Sequence, residues 1–318
     1  MSYAALMFAR CANGHRYAWY LQAFAFLVLV GSSGRGWDTS LVSVGDDAAV
    51  TANRCSFFAL AFASIVGFAA ISSDFYVYYP TNTSRVLTFG MTWLGLWLST
   101  MISGLIGIGI ATGVSSQPLW SEAYGTSSGA LIMACYDGLG GFGSLCGVIM
   151  FVGAIQNVAP STYVAALSIQ TLGRYAKIVP RWTWCIFIMV IQLVCSVAGR
   201  NSLFTIFNNF LPIMAYWVCP WFVIVVEEHI IFHKLRDVPF DWTVWDDRRR
   251  LPYGAAATVS WLAGWAGAII GMAQVWYTGP VALRIGGYGG DVGGWLSIAF
   301  AGLIYPLLRW TELKVVGR

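Results

Sequence analysis

Long apolar runs alternate with short charged segments along the chain, and this pattern predicts the fold class. About 20 consecutive apolar residues are enough for a helix to cross the ~30 Å hydrocarbon core of a bilayer. The runs mostly lack the polar stripe of a helix on the surface of a soluble protein. The pattern predicts an all-α integral membrane protein with about eight transmembrane helices, at about Tyr17–Ser33, Ser56–Ser72, Thr88–Gly113, Leu145–Leu172, Trp182–Ala198, Phe207–Phe232, Ala255–Thr278 and Trp295–Leu308.

Composition and charge narrow the function classes. Hydrophobic residues make up 58% of the chain and charged residues only 10%, which excludes an ordinary soluble domain. The lipid bilayer is therefore an expected partner. The net charge of +4 reflects Lys and Arg residues concentrated in the segments on one side of the membrane. No nucleic-acid partner is therefore expected. The sequence has no G-x-x-x-x-G-K-[ST] phosphate-binding loop, which argues against a self-contained ATP-driven pump.

The distribution of Lys and Arg predicts the orientation of the chain. With the first residues placed inside, the inside segments hold 14 of the 18 Lys and Arg residues and the outside segments hold 4. Such a bias marks the cytoplasmic side. We therefore expect both termini to be cytoplasmic, together with the loop 234–252 and the tail 309–318. We further expect an integral membrane protein of the plasma membrane. The glycosylation sequon Asn82-Thr83-Ser84 falls inside and should remain unmodified.

Polar residues interrupt the middle of the fourth apolar run, Leu145–Leu172. Asn157 and Ser161 are four residues apart and share one face of the predicted helix, next to Pro160. Uncharged polar groups at the bilayer centre are costly without partners, so this face should line a protein interior or a water-filled cavity. The pattern is typical of a midplane ligand site in a transporter; ordinary hydrogen bonding between helices is the alternative. Gln156 lies off this face and is expected to bond to a neighbouring helix.

Short segments in the right order match one transporter family over nearly the whole chain. They are Arg16-Tyr17-Ala18-Trp19, Ser73-Asp74-Phe75-Tyr76-Val77-Tyr78-Tyr79-Pro80, Asn82-Thr83-Ser84-Arg85, Thr92-Trp93-Leu94-Gly95-Leu96, Tyr163-Val164-Ala165-Ala166-Leu167-Ser168-Ile169-Gln170, Val226-Glu227-Glu228-His229, Gly264-Trp265-Ala266-Gly267-Ala268 and Gln274-Val275-Trp276-Tyr277. By these segments the chain resembles the fungal purine–cytosine permeases of nucleobase–cation symport family 1.

The resemblance implies a fold and a function. The family has twelve spans with a five-plus-five inverted repeat (APC/LeuT-like), so residues 1–318 would form one transporter domain corresponding to spans five to twelve. The first four spans would have no counterpart. The implied function is a proton symporter for purine bases and cytosine, or for a related heteroaromatic such as a B6 vitamer. The alternative is a truncated, non-transporting membrane fragment of such a permease. Either is a non-enzyme, with no cofactor implied.

The resemblance also implies substrate-binding residues. The family's sixth span is broken near its middle and supplies an aromatic ring that stacks on the nucleobase. Phe68 matches this position, and Gly67 suits a local unwinding. The family's eighth span carries two asparagines, then proline and asparagine. Asn157, Pro160 and Ser161 align with positions of this pattern. Two positions differ from it in residue type, because Val158 and Ser161 stand where the family has asparagine.

Two further elements are assigned candidate roles. The family's tenth span moves as an outer gate, which makes Leu211 and Pro212 hinge or gate candidates. Pro212 and Pro220 should bend this helix. Asp74 ends the second apolar run at the inner interface. It can cap the helix or pair with Arg85, and a role in proton coupling is the alternative.

Acids and histidines end the sixth apolar run on the inside. Glu227, Glu228 and His229 are followed by His233, a spacing that could bind a metal. The chain has only 3 histidines, however, and no other acid–histidine cluster completes a site. We therefore expect no metal, and an inner gate or salt-bridge network at these residues.

Overall fold

The computed structural model describes residues 20–43, 45–77, 79–80, 82–200, 202–239, 250–286 and 289–317. The family segment Arg16–Trp19 lies outside the described residues. The helices are α1 (20–33), α2 (Asp47–Val66), α3 (Phe68–Tyr76), α4 (Arg85–Ser116), α5 (Pro118–Thr126), α6 (Ser128–Cys135), α7 (Gly140–Thr171), α8 (Arg174–Ile178), α9 (Arg181–Gly199), α10 (Leu203–Glu227), α11 (Ala255–Gly271) and α12 (Gly293–Val316). A π-helical segment, Glu228–Lys234, continues α10.

All eight predicted runs contain helix, which confirms the all-α fold class. Within the described ranges, five helical stretches are long and apolar enough to cross a membrane: Asp47–Asp74, Arg85–Ser116, Asp137–Thr171, Arg181–Gly199 and Thr205–Lys234. Helix α11 is a shorter apolar helix of 17 residues. Helix α12 extends to Val316, so most of the predicted tail 309–318 is helical.

The prediction of one helix from Ala255 to Thr278 was wrong, because α11 ends at Gly271. The chain then forms two short antiparallel strands, β1 (Ala273–Gln274) and β2 (Tyr277–Thr278). Backbone hydrogen bonds from Gly279 to the carbonyl of Met272 (2.8 Å) and from Val281 to the carbonyl of Ile270 (3.0 Å) close this reversal. Because this segment is as apolar as the helix before it, the sequence pattern did not predict the turn.

The chain divides into two compact units. The first unit contains residues up to Val42 and Arg85–Asn201, and therefore α1 and α4–α9. Its core surrounds Tyr136, whose hydroxyl donates to the carbonyl of Ala25 at 2.7 Å. The buried ring of Trp120 occupies the space beside Gly36 and Gly113, where a larger residue would clash with it.

The second unit contains Ser43–Ser84 and residues from Ser202 onward, and therefore α2, α3 and α10–α12. Helices α11 and α12 pack closely through small buried residues. A β-carbon at Gly267 would lie 2.6 Å from the carbonyl oxygen of Leu296, and one at Gly264 would lie 2.5 Å from Pro220 of α10. The three helices thus approach one another where glycine leaves room for a neighbouring backbone or proline ring.

Candidate functional site

The middle of α7 presents an exposed polar face in the first unit. Asn157 and Ser161 are both exposed, and among the described residues neither side chain forms a hydrogen bond. The buried side of the helix includes Gly153, which packs against Gln22 of α1. The helix runs without interruption through Pro160. Two polar side chains without partners in the described structure are therefore available to a ligand at the centre of an apolar helix.

A neighbouring residue, rather than Gln156, makes the side-chain bond to the next helix. The hydroxyl of Thr162 donates to Oε1 of Gln192 in α9 at 3.1 Å. Gln156 forms no side-chain hydrogen bond in the part of the chain that the structure describes. Thr162 is buried one residue beyond Ser161, and its hydroxyl also lies 3.0 Å from the carbonyl oxygen of Val158.

The family residues Tyr163 and Gln170 lie where α7 approaches the start of α9. Arg181 Nε donates to Gln170 Oε1 at 3.0 Å, and its Nη1 donates to the hydroxyl of Tyr163. The guanidinium carbon also lies 5.1 Å from the centre of the Tyr163 ring, within the range of a cation–π contact. These matches to the family are thus part of the packing of one end of the unit.

In the second unit, Phe68 begins a helix directly after Gly67. Helix α2 ends at Val66 and α3 begins at Phe68, while Gly67 keeps a right-handed helical backbone with φ −57° and ψ −29°. The chain therefore stays helical across this position, and the structure shows no unwound stretch at Gly67. The side chain of Phe68 is 45% exposed. It can offer a ring face to a ligand.

Leu211, one of the two gate candidates on α10, packs near the end of α2. Leu211 and Val66 both contact a cluster that includes Ala63 and the fully buried Cys219. Pro212 is buried within α10. Movement of α10 at Leu211 would therefore disturb the end of α2, directly before Gly67.

Asp74, the possible coupling residue, lies near the end of α3 and is half-buried. It belongs to the same unit as Phe68 and Leu211, whereas Asn157 and Ser161 belong to the other unit.

A salt-bridge network is present after α10, as expected for Glu228. Arg309 of α12 bonds Glu228 Oε1 at 3.1 Å and Glu312 Oε2 at 3.2 Å. The hydroxyl of Tyr305 donates to Glu228 Oε2 at 2.8 Å, and His233 Nε2 lies 3.7 Å from Glu228 Oε1. Because Arg309 is only 7% exposed, the network joins α12 to the π-helical segment in a largely buried site.

A second buried polar group was not predicted from the sequence. The carboxylate of Asp291, just before α12, accepts hydrogen bonds from the hydroxyl of Tyr216 and from Gln274 Nε2 (3.0 Å). The backbone N–H of Gly293 donates to its other oxygen at 2.9 Å. We call Tyr216, Gln274 and Asp291 the Asp291 cluster. Its members come from α10, β1 and the segment before α12, so no short sequence motif predicts it. The only local signal is the acidic residue Asp291 in the otherwise largely apolar segment between α11 and α12.

Known transporters are similar to this chain over most of its length. The vitamin B6 transporter TPN1 of Saccharomyces cerevisiae is 32% identical over 346 aligned residues, covering 94% of this chain and 60% of that protein. The purine–cytosine permease fcyB of Emericella nidulans is 33% identical over 307 residues, covering 95% of this chain and 59% of that protein. A putative purine–cytosine permease of Bacillus subtilis is 23% identical over 261 residues, covering 78% of the chain and 53% of that protein.

These similarities confirm the resemblance inferred from the sequence segments. The chain spans about 60% of the length of the first two relatives. No family model matches the chain, and no solved structure matches it.

Proposed function

We propose that this chain, a homologue of the fungal purine–cytosine permeases over 95% of its length, is a secondary transporter for a flat heteroaromatic substrate. The substrate class is a purine base, cytosine or a B6 vitamer, and its uptake is coupled to symport of protons. The similar proteins include both purine–cytosine permeases and a vitamin B6 transporter, which supports this range of substrates.

The exposed polar face of α7 is the observation that carries the proposal. Asn157 and Ser161 have no hydrogen-bond partner in the described part of the chain, and they lie at the middle of a 32-residue apolar helix. Polar groups at this depth are costly in contact with lipid. A substrate with ring nitrogens and exocyclic groups would satisfy them, since an amide both donates and accepts and a hydroxyl can rotate to do either.

Phe68, in the other unit, is a separate candidate for contact with substrate, proposed from the family match. Its half-exposed ring, next to Gly67, is suited to stack on the face of a heteroaromatic ring. Leu211 and Pro212 act as gate residues, because Leu211 packs on the cluster that also holds Val66. The predicted topology has both termini on the cytoplasmic side of the plasma membrane, and the proton gradient across that membrane would drive uptake.

Uptake assays test the proposal directly. Cells without their own permeases express the 318-residue chain, and uptake of radiolabelled cytosine, adenine, hypoxanthine and pyridoxine is measured. Saturable uptake of at least one compound is expected. Absence of uptake at normal surface abundance would contradict the proposal and favour a non-transporting fragment.

Asn157→Ala is the decisive variant in this assay. We expect it to abolish saturable uptake without lowering the amount of protein in the membrane, because the amide is needed for the ligand and not for packing. Gln156→Ala, one residue earlier and off the polar face, is the matched control and should transport normally. Normal uptake by Asn157→Ala would remove this face from the binding site.

A further inference from the structure

Asp291 is a buried carboxylate at a junction of three helices. Its side chain binds Tyr216 of α10 through one oxygen and the backbone N–H of Gly293, at the start of α12, through the other. Its own backbone N–H donates to Ser56 Oγ of α2 at 3.2 Å. One residue therefore connects the helix proposed to gate the substrate with the helix that leads to Phe68.

The cluster is closed to solvent. Asp291 is 3% exposed and Tyr216 is 2% exposed. Gln274 Nε2 donates both to the Tyr216 hydroxyl (2.9 Å) and to Asp291 Oδ2 (3.0 Å). A β-carbon on Gly293 would lie 2.7 Å from the Tyr216 ring, so the tyrosine is held against the start of α12.

No cation compensates the Asp291 carboxylate among the described residues. The ion pairs in which both partners are described all involve Glu228 or Glu312. The titratable groups beside Asp291 and its neighbours Gly290 and Gly294 are Tyr216 and Cys219 on α10 and Cys55 on α2. The same elements also carry Glu227 at the far end of α10, Asp47 at the start of α2, Tyr277 on β2, and Tyr305, Arg309, Glu312 and Lys314 on α12. Arg54 on α2 and Arg284 in the connection are exposed, and α11 has no titratable side chain. Hydrogen bonds alone therefore stabilise the charge, and burial opposes it.

We infer that Asp291 is a proton-binding site whose occupancy controls the connection between α10 and the segment that joins α11 to α12. The carboxylate takes up one proton on Oδ2 and becomes a neutral carboxylic acid. That oxygen then carries a donor, so it can no longer accept from both the Tyr216 hydroxyl and the Gln274 amide. At least one of these bonds must break or reverse, which loosens α10 from its neighbours.

The location suits uptake of a proton from outside the cell. The positive-inside prediction places the segment between α11 and α12 on the outer side. Burial raises the pKa of the Asp291 carboxyl, while its hydrogen bonds from Tyr216, Gly293, Gln274 and Ala273 act in the opposite direction. Because the pKa is raised, the site fills at a higher pH than that of an exposed aspartate. The role of this proton in symport rests on the proposed function, whereas the titration does not.

Infrared difference spectroscopy on the purified 318-residue chain tests the titration without any transport. A band of protonated carboxylic acid should appear on acidification, with a midpoint above the ordinary aspartate value of about 3.9. Asp291→Asn should lose this band, whereas Asp137→Asn, which removes an exposed carboxylate, should keep it. Tyr216→Phe should keep the band and move its midpoint upward, because it removes a donor that stabilises the charged form.

The outcomes separate the site from the transport function. Loss of the band in Asp291→Asn, with the Tyr216→Phe shift, supports the site; a band unchanged in Asp291→Asn overturns it. A midpoint that falls as sodium replaces choline in the buffer would identify a sodium site and would overturn the proton assignment. Asp291→Glu keeps a carboxyl group and shows whether loss of the band in Asp291→Asn reflects unfolding. A stable, monodisperse Asp291→Glu protein that lacks the band also overturns the proposal.

Transport measurements then test coupling alone. Asp291→Asn should lose the pH dependence of uptake and keep exchange of labelled for unlabelled base, because exchange needs no net proton movement. If the band titrates as described but no variant and no parent chain takes up a base, the proposed function fails and the proton site stands. Normal pH dependence of uptake in Asp291→Asn would overturn its role in coupling.

Discussion

The ring of Phe68 is the single side chain whose removal should most directly weaken substrate binding. Phe68→Ala should reduce affinity by about 1–3 kcal/mol, the scale found for bases stacked on aromatic side chains. The ring is 45% exposed, so its loss leaves little cavity in the unit and should not alter folding. The inhibition constant of the best transported compound, measured in competition uptake, reports the change.

Phe89→Ala is the matched control for that experiment. Phe89 is 72% exposed on α4 and outside the proposed site, so its removal should leave the inhibition constant unchanged. Equal constants for Phe68→Ala and the parent chain would remove Phe68 from the site.

Single residues differ greatly in how well the sequence reveals their role. Asn157 and Ser161 stand out in the sequence because an amide and a hydroxyl interrupt one apolar run at helical spacing, and the structure leaves both exposed. Tyr216 and Asp291 were not, because they are 75 residues apart and neither stands out beside its neighbours. Arg309 begins the predicted cytoplasmic tail 309–318, and the fold buries it against Glu228, 81 residues away. Long-range pairing of polar groups is decided by packing, which local patterns do not contain.

At the scale of helices, the contact between α11 and α12 depends on the absence of side chains. Gly267→Ala should destabilise the protein by about 1–3 kcal/mol, the usual cost of overpacking. Its β-carbon would lie 2.6 Å from the carbonyl oxygen of Leu296 and 3.0 Å from the Phe300 ring, so the two helices must separate. Thermal unfolding in detergent, followed by size-exclusion chromatography, measures the loss.

Gly95→Ala in α4 serves as the control for this substitution. An added β-carbon there meets no atom within 4 Å, and alanine favours a helix over glycine by about 1 kcal/mol. This variant should be at least as stable as the parent. If both variants unfolded at the parent's temperature, close packing of α11 on α12 would be contradicted.

The network around Arg309 predicts a larger effect. Arg309→Gln leaves the carboxylates of Glu228 and Glu312 without their shared cation in a mostly buried site. Removing one partner of a buried ion pair costs about 3–5 kcal/mol. The same unfolding assay should show a clear drop, whereas Arg284→Gln, at an exposed arginine of the same unit, should show almost none. A parent-like Arg309→Gln protein would mean that the pair contributes nothing to stability.

Helices were more predictable than the points at which they end. The apolar runs located every long helix, because apolar length is the property that a bilayer requires. The pattern failed at Gly271, where an apolar segment leaves the helix and turns back through β1 and β2. Composition alone cannot distinguish a buried turn from a continued helix when both are apolar.

For the whole molecule, the predicted topology has a simple chemical test. Asn82, between α3 and α4, belongs to a sequon on the predicted inner side and should carry no glycan when the chain is made in yeast. Asp38→Asn creates the sequon Asn-Thr-Ser at residues 38–40, on the predicted outer side, and should become glycosylated. A mobility shift on removal of glycans by an endoglycosidase reports each case. A glycan on Asn82 would show that the predicted orientation is wrong and that this segment lies on the outer side.

The two long-range polar connections of α10 also bear on how the protein is made. Tyr216 and Glu228 leave the ribosome 75 and 81 residues before Asp291 and Arg309, their respective partners. During that interval α10 carries the phenol of Tyr216 and the π-helical segment that continues it carries the carboxylate of Glu228, and lipid can satisfy neither group. We therefore expect α10 to stay at the insertion machinery until α11 and α12 emerge as a helical hairpin, and all three to enter the bilayer together. In a nascent chain arrested before residue 291, a photo-crosslinker placed in α10 should therefore react with the insertion machinery rather than with lipid.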